Sequence, residues 1–223
     1  MIIYNLDEYI STYKDLKRDF KLRSSNNYVE FVTANGNKMY YNKSNKFSKG
    51  LYLFSLVKKD VNKFLEENGE VEPYEELPVN YHNLDYDTKN KTIGIDINNA
   101  YWSVAYLKGY ISENTYQKGI SKKEFKAIRL SALSTLGKGK VYKVYKEGKY
   151  SYDEVHKLDE RLQDLYDDIR YTTYGVMREC AELLDNDFCS WKTDCVFFKD
   201  TKSNRKKVIE LLESFGLEWK IEE

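Results

Sequence analysis

Asp96 ends an apolar run, Ile93-Gly94-Ile95-Asp96-Ile97, that passes into Asn98-Asn99-Ala100-Tyr101-Trp102-Ser103. Asp194 sits between two apolar stretches, in Trp191-Lys192-Thr193-Asp194-Cys195-Val196-Phe197-Phe198. Taken singly, such a carboxylate has ordinary uses as a helix cap or an Asx turn. Two of them brought from remote segments to one sheet would repel each other unless a cation lay between. Magnesium binds one or two carboxylates and completes its shell with substrate phosphate oxygens. The pair therefore predicts phosphoryl chemistry on a nucleotide, with Mg2+ (or Mn2+) held by Asp96, Asp194 and the backbone carbonyl of Ile97. Asn99, Ala100 and Tyr101 open a helix whose free amides would favour phosphate. Lys126 and Arg129 lie one helical turn apart and share a face. Such a face is commonly just solvated, but Arg also has the planar fork that grips a triphosphate.

The elements expected to position these groups follow from periodicity. Helical spacing of Leu6, Tyr9, Ile10, Tyr13, Leu16 and Phe20 predicts a helix over 7–22 behind Asp7 as N-cap. Residues 28–33 and 38–42 alternate around Ala34-Asn35-Gly36-Asn37, a hairpin signal. An apolar stretch at 51–57 runs into a charged helix ending at Asn68-Gly69. Residues 70–78 hold both prolines and read as a linker. A domain boundary is expected there, with an N-terminal α/β appendage over 1–80 and the main domain over 81–223. Beyond it come a strand at 91–97 and a helix at 99–108. A capping box, Ser121-x-x-Glu124, is expected to open a helix running to Gly137. A hairpin follows around Glu147-Gly148, then a long helix over 152–184. Two strands flank Lys192-Thr193, and a helix at 202–214 precedes a last short strand. The order predicts an α+β fold with an antiparallel sheet, because a tight hairpin lies within its core.

Composition bounds the rest. Lys+Arg and Asp+Glu both number 36, so any basic surface must be local rather than global. The wealth of Lys, Asn and Tyr fits an AT-rich coding sequence of the kind phages and mobile elements carry. Cys180, Cys189 and Cys195 are odd in number and lack C-x-x-C spacing, which argues against a disulfide framework or zinc site and for a reducing compartment. The first residues lack the pattern of a signal peptide, and no apolar run is long enough to span a bilayer. The expected location is the cytoplasm, that of the host if the chain is phage-encoded. Tyr166-Asp167-Asp168 mimics a reverse-transcriptase signature but falls in a charged helical run and reads as a solvated face. Gly137-Lys138-Gly139-Lys140 looks suited to phosphate, yet a helix end and turn account for its glycines. His82 and His156 are isolated.

Taken in order, these segments resemble the palm of family B DNA polymerases. The family's first motif runs Asp, two variable residues, Ser, Leu, Tyr, Pro, Ser. Here Asp96, Tyr101 and Ser103 of Asp96-Ile97-Asn98-Asn99-Ala100-Tyr101-Trp102-Ser103 match it. Its second motif runs Lys, three residues, Asn, Ser, one residue, Tyr, Gly, and the segment from Arg129 to Gly137 keeps a cation, Ser134 and Gly137. Its third, Tyr-Gly-Asp-Thr-Asp-Ser on a hairpin, corresponds to Ser190-Trp191-Lys192-Thr193-Asp194-Cys195. A long helix before that hairpin matches Ile169 to Leu184. The resemblance covers about residues 90–223.

This resemblance implies an antiparallel palm sheet with helices on one face, and two-metal transfer of a deoxynucleotide to a 3′-hydroxyl. Asp96 and Asp194 would hold the metals. Tyr101 would stack under the sugar and exclude a 2′-hydroxyl, and Arg129 would contact the triphosphate. Implied partners are deoxynucleoside triphosphates, a DNA primer/template or single-stranded DNA, and replication proteins or a second copy of the chain. Lys192 stands where the family has its first third-motif Asp; it would weaken metal binding or contact a phosphate. Leu133 and Leu136 replace the family's Asn and Tyr near the nascent base pair. The short span from Asp96 to Arg129 leaves room for rudimentary fingers, and no thumb or exonuclease segment is expected. Two other readings compete: a palm that has lost catalysis and serves as a nucleic-acid- or protein-binding module, and a template-independent nucleotidyltransferase.

Overall fold

The computed structural model describes residues 2–25, 28–43, 52–76 and 79–222. The fold is α+β and built on two antiparallel five-stranded sheets.

The sheet carrying the conspicuous carboxylates contains β4 (Tyr81–His82), β5 (Thr92–Ile97), β8 (Phe188–Lys192), β9 (Cys195–Lys199) and β10 (Trp219–Glu222), in the order β10-β5-β9-β8-β4. Its pleat sorts side chains by period two. Ile95, Ile97, Val196 and Phe198 point into the main core and are fully buried. Over them lies α6 (Glu160–Leu184), in contact with β8 and β9, with α3 (Ala100–Leu107) and α7 (Lys202–Ser214) packed beside it. The alternate residues form the opposite face. Asp96 pairs in register with Cys195 on one side and Lys220 on the other, and Gly94 with Phe197 and Glu222. Gly94 has to lack a side chain here, because a Cβ would meet the Phe197 ring at 2.9 Å.

The second sheet, β3-β2-β1-β6-β7, is made from distant parts of the chain. β1 (Phe20–Ser24), β2 (Tyr28–Thr33) and β3 (Lys38–Asn42) are N-terminal, whereas β6 (Lys140–Lys146) and β7 (Lys149–His156) come from the middle. β1 joins them by pairing Phe20 with Tyr145 and Leu22 with Lys143. The aromatic rings of Phe20, Phe31 and Tyr145 stack, and α1 (Leu6–Asp15) covers them with Tyr9 and Tyr13. A division at residue 80 therefore does not separate the two sheets. The helices α2 (Tyr52–Asn68), α4 (Glu113–Ile120) and α5 (Lys126–Ser134) pack on one another. Leu53 of α2 meets Phe125 and Ile128, while Val57 and Val61 enter the main core.

Several local expectations are corrected. The first helix is capped by Asn5, whose side chain accepts the Glu8 amide at 3.2 Å; Asp7 lies inside its first turn. It ends at Asp15, and Phe20–Leu22 belong to a strand, where the ring of Phe20 gains an aromatic stack that a longer helix would forfeit. Ser121 does not open a helix; it is the C-cap of α4, and α5 covers only Lys126–Ser134. The Ser121 hydroxyl donates to the Lys118 carbonyl at the end of α4, which is capped at its start by Ser112 and gives no apolar stripe to read. Residues 152–156 are strand, not helix, because β6 offers them a partner. Part of the 70–78 linker is pinned: Tyr74 stacks on Tyr171 at 4.0 Å; its residues 77 and 78 lie outside the described set. No helix among the described residues is long and apolar enough to cross a membrane.

Candidate active site

Asp96 and Asp194 line one cleft of about 580 Å³ on the open face of the β5–β9 sheet. They arrive there by different routes. Asp96 points out of the sheet at the end of β5, opposite Cys195. Asp194 occupies the two-residue turn between β8 and β9. The Ile97 amide donates to the Asp194 carbonyl at 2.9 Å, which fixes the two segments against each other through the main chain.

The turn that carries Asp194 is held from outside. Thr193 adopts φ +57, unusual for a β-branched residue. The Asn80 side chain accepts the Thr193 amide at 2.7 Å and the Tyr174 hydroxyl at 3.2 Å. The Trp191 indole donates to the Val79 carbonyl at 3.2 Å. On the other side, Asn99 takes φ +53 and turns β5 into α3, its carbonyl accepting the Trp102 and Ser103 amides. Asn98 ties the same bend to β10 through the Glu218 and Trp219 carbonyls. Both chain reversals at the cleft are thus left-handed residues locked by neighbours.

The charges of the two carboxylates are coupled by repulsion. Burial, and then the charge of Asp96, push the Asp194 carboxyl up to about 6, against smaller opposing effects of Lys126 and Lys220. Lys220 places its Nζ 2.8 Å from the Asp96 carboxylate, and this bond raises the lysine's own pKa. Cys195 between them is held in its thiol form: burial, then Glu222 and the two aspartates, raise it to about 12. Among the described residues no cluster of three or more His, Cys, Asp or Glu could hold a metal. The donor set is two carboxylates, which suits a magnesium ion that shares its shell with a phosphate-bearing substrate.

The other expected residues all border this cleft, in different states. Ala100 and Tyr101 line it at the start of α3, and Lys126 and Lys192 line it from exposed positions. Tyr101 is half-buried; burial, then Tyr174 and Tyr166, raise its phenol to about 12, so it stays protonated. Arg129 is more constrained than a free clamp. It is 6% exposed, donates to the Gly119 carbonyl at 2.6 Å and bonds the Asn99 side chain. Its first role is to brace the bend that follows Asp96. Gly119 itself lies under Trp102, where a Cβ would approach the ring to 2.4 Å.

Lys220, Glu222, Phe197 and Asn80 escape a reading of the sequence. Their place depends on strand register and on a loop contact, neither of which leaves a local pattern. Alternation in Trp219–Glu222 puts Lys220 and Glu222 on one face, but only the pairing shows that Asp96 lies opposite. Comparison with known proteins returned no matching family model, no matching curated protein and no matching solved structure.

Proposed function

We propose that the cleft is a nucleotidyl-transfer site of the polymerase-palm type, adding a deoxynucleotide to a 3′-hydroxyl. The observation that carries this reading is the state of Asp194: a half-buried carboxylate, raised to about 6 by burial and a second carboxylate, in an open cleft. Two acids brought together are stabilised by a cation that joins them, and Lys220 bonds only Asp96.

Asp96, Asp194 and the Ile97 carbonyl would hold Mg2+ (or Mn2+), and the bound ions would neutralise the pair, acidify the attacking hydroxyl and stabilise charge on the phosphate. The chain's own part is positioning. The α3 amides at Ala100 and Tyr101 would face the triphosphate, with Lys126 and Lys192 as exposed counter-charges. Tyr101, at the cleft wall, would bear on the sugar. Arg129 would hold the Asn99 bend in place and so fix Asp96. The finer identity with family B polymerases, its deoxynucleotide and primer partners, and a phage origin rest on the motif resemblance alone.

A second reading is favoured by two cations. Lys192 replaces an acid of the motif, and Lys220 pairs with Asp96. Both fit a palm that binds nucleic acid or protein without catalysis.

Extension of a labelled primer in Mg2+ or Mn2+ separates the two. The enzyme reading expects product, and loss of about a thousandfold or more in Asp96→Ala and Asp194→Ala, equivalent to about 4 kcal/mol. Absence of extension, of terminal addition and of metal binding would sink it. Addition that ignores the template sequence would assign the template-independent chemistry instead.

A further inference from the structure

A second cleft, of about 660 Å³, lies between the N-terminal sheet and the helices α2, α5 and α6. Helix α5 separates it from the first: Arg129, Leu130 and Leu133 border the aspartate cleft, whereas Ala132, Thr135 and Leu136 border this groove. Its cations are Arg23, Lys38, Lys58, Lys138, Lys140 and Lys157. They come from five separate segments of the chain, so their convergence is made by the fold.

The groove's carboxylates are already spoken for. Glu30 is 3% exposed and accepts the hydroxyls of Tyr40 at 3.3 Å and Tyr142 at 2.9 Å. It also pairs with Arg23 at 3.6 Å and Lys38 at 3.7 Å. Asp159 pairs with Arg161 at 3.3 Å. Among the described residues Lys58, Lys138, Lys140 and Lys157 have no ion-pair partner. Burial lowers the pKa of Lys140, and the charges of Arg23, Lys58 and Lys38 add to that fall. Glu30, the buried carboxylate of the groove, opposes that fall but is shared among Arg23, Lys38 and two tyrosine hydroxyls, so one anion faces six cations.

Aromatic side chains complete the wall. Tyr28 and Tyr40 pack edge to face, with the Arg23 guanidinium over the Tyr28 ring, and Tyr52 is 44% exposed at the start of α2. Tyr52 is the exposed ring and Tyr28 and Tyr40 are half-buried; a cationic groove with an exposed aromatic ring is the combination that follows the backbone of a single strand and stacks its bases without reading sequence. Pure phosphate binding would need no rings, and an acidic peptide would not use them as bases do.

We propose that this groove binds the sugar–phosphate backbone of single-stranded nucleic acid, with Tyr52 as a stacking platform. The proposal stands on the groove alone and does not require the aspartate cleft to be catalytic. Gly137-Lys138-Gly139-Lys140 then has a function beyond its turn. A Cβ at Gly137 would meet the backbone of Gln163 at 2.5 Å, and one at Gly139 the His156 carbonyl at 2.9 Å, so the glycines let the two lysines sit close against the groove wall.

The test is fluorescence anisotropy of a labelled oligothymidylate in EDTA, without nucleotide, against a salt series. The variants are Lys58→Gln/Lys138→Gln/Lys157→Gln, all at exposed positions, and Tyr52→Ala. The triple variant is expected to bind more than about tenfold more weakly, with the slope of log K against log salt reduced by about 2, since each phosphate contact on a single strand contributes about 0.7. Tyr52→Ala should weaken binding about fivefold or more while leaving that slope unchanged. Circular dichroism melting confirms that each variant is folded. Unchanged affinity and slope in the folded triple variant would overturn the proposal. So would equal binding of a blunt duplex, or displacement of the oligonucleotide by polyglutamate at equal charge, which would make the partner an acidic protein. If primer extension fails but the triple variant loses binding, the groove stands and the catalytic reading falls.

Discussion

Asp168 and Asp194 are both carboxylates drawn out of solvent, and the protein treats them in opposite ways. Asp168, 2% exposed on α6, receives the Tyr110 hydroxyl at 2.5 Å, the Tyr74 hydroxyl at 2.7 Å and the Lys108 ammonium at 2.8 Å. Burial opposes its ionisation, and the bonds from Lys108, Tyr110 and Tyr74 more than offset that, so its pKa falls. Asp194 has a neighbouring acid in place of such partners, and its pKa rises to about 6. A carboxylate that serves the fold is satisfied by it; one left at odds with its surroundings is available to something that binds. The contrast also settles Tyr166-Asp167-Asp168. It sits on a helix rather than a hairpin turn, and Asp168 is neither a solvated charge nor a reactive one but a buried tie between α3, α6 and the Tyr74 segment.

Catalysis offers the largest way to break the contrast, since the loss of extension in Asp194→Ala should have no counterpart in an Asp168 variant that remains folded. Next in size is stability. Asp168→Asn keeps one acceptor oxygen, turns the other into a donor that faces a tyrosine hydroxyl or the Lys108 ammonium, and removes the charge, and should cost about 3 kcal/mol in urea unfolding, discounting for the partly exposed Lys108. A cost below about 1 kcal/mol would show that the network is ornamental.

The pH dependence should run in opposite directions. A folded pKa above the unfolded value of about 3.9 means that folded Asp194 holds its proton more tightly between pH 4 and 6. Its contribution to stability is therefore full below pH 4 and lost as pH rises through 6. The parent should lose about 1 kcal/mol over that range, after discounting for solvent, that Asp194→Asn does not lose. Asp168, with its lowered pKa, contributes above pH 4 and loses that contribution only in stronger acid. Acid-range melts of both variants would read the two signs.

The smallest effect is expected at Lys220. The lysine end of its bond to Asp96 is exposed and the aspartate end is not, so Lys220→Ala should change stability by about 1 kcal/mol or less. The same substitution removes a charge that holds Asp194 down, so carboxyl NMR should show Asp194 titrating at higher pH. An unmoved titration would mean that the cleft charges do not act as a unit.

Much of the aspartate cleft is legible in the sequence, because β5, α3 and the β8–β9 hairpin are local patterns. The apolar alternation, the Asn98-Asn99 bend and the turn, expected at Lys192-Thr193 and found one residue on at Thr193-Asp194, all lie within a few residues of the groups they position. What is hidden is pairing. Lys220 faces Asp96 only through register, and Asp168 is buried only because Tyr74 reaches it from another segment. The hairpin of β6 and β7 is visible as a hairpin, yet nothing near it tells that it completes the N-terminal sheet. The same blindness turned residues 152–156 into helix: their charge and spacing suit either element, and the partner strand decides.

That completed sheet bears on how the protein assembles in time. Until Tyr145 has been synthesised, β1 has β2 on one side and a bare edge on the other, with the Phe20 ring awaiting its stacking partner. Closing so long a loop carries a large entropic cost before any contact offsets it, and such topologies fold slowly. The three N-terminal strands must therefore wait on the ribosome as an open ribbon, vulnerable to pairing with another chain. The groove, whose wall draws on both halves of that sheet, is then among the last features of the molecule to form.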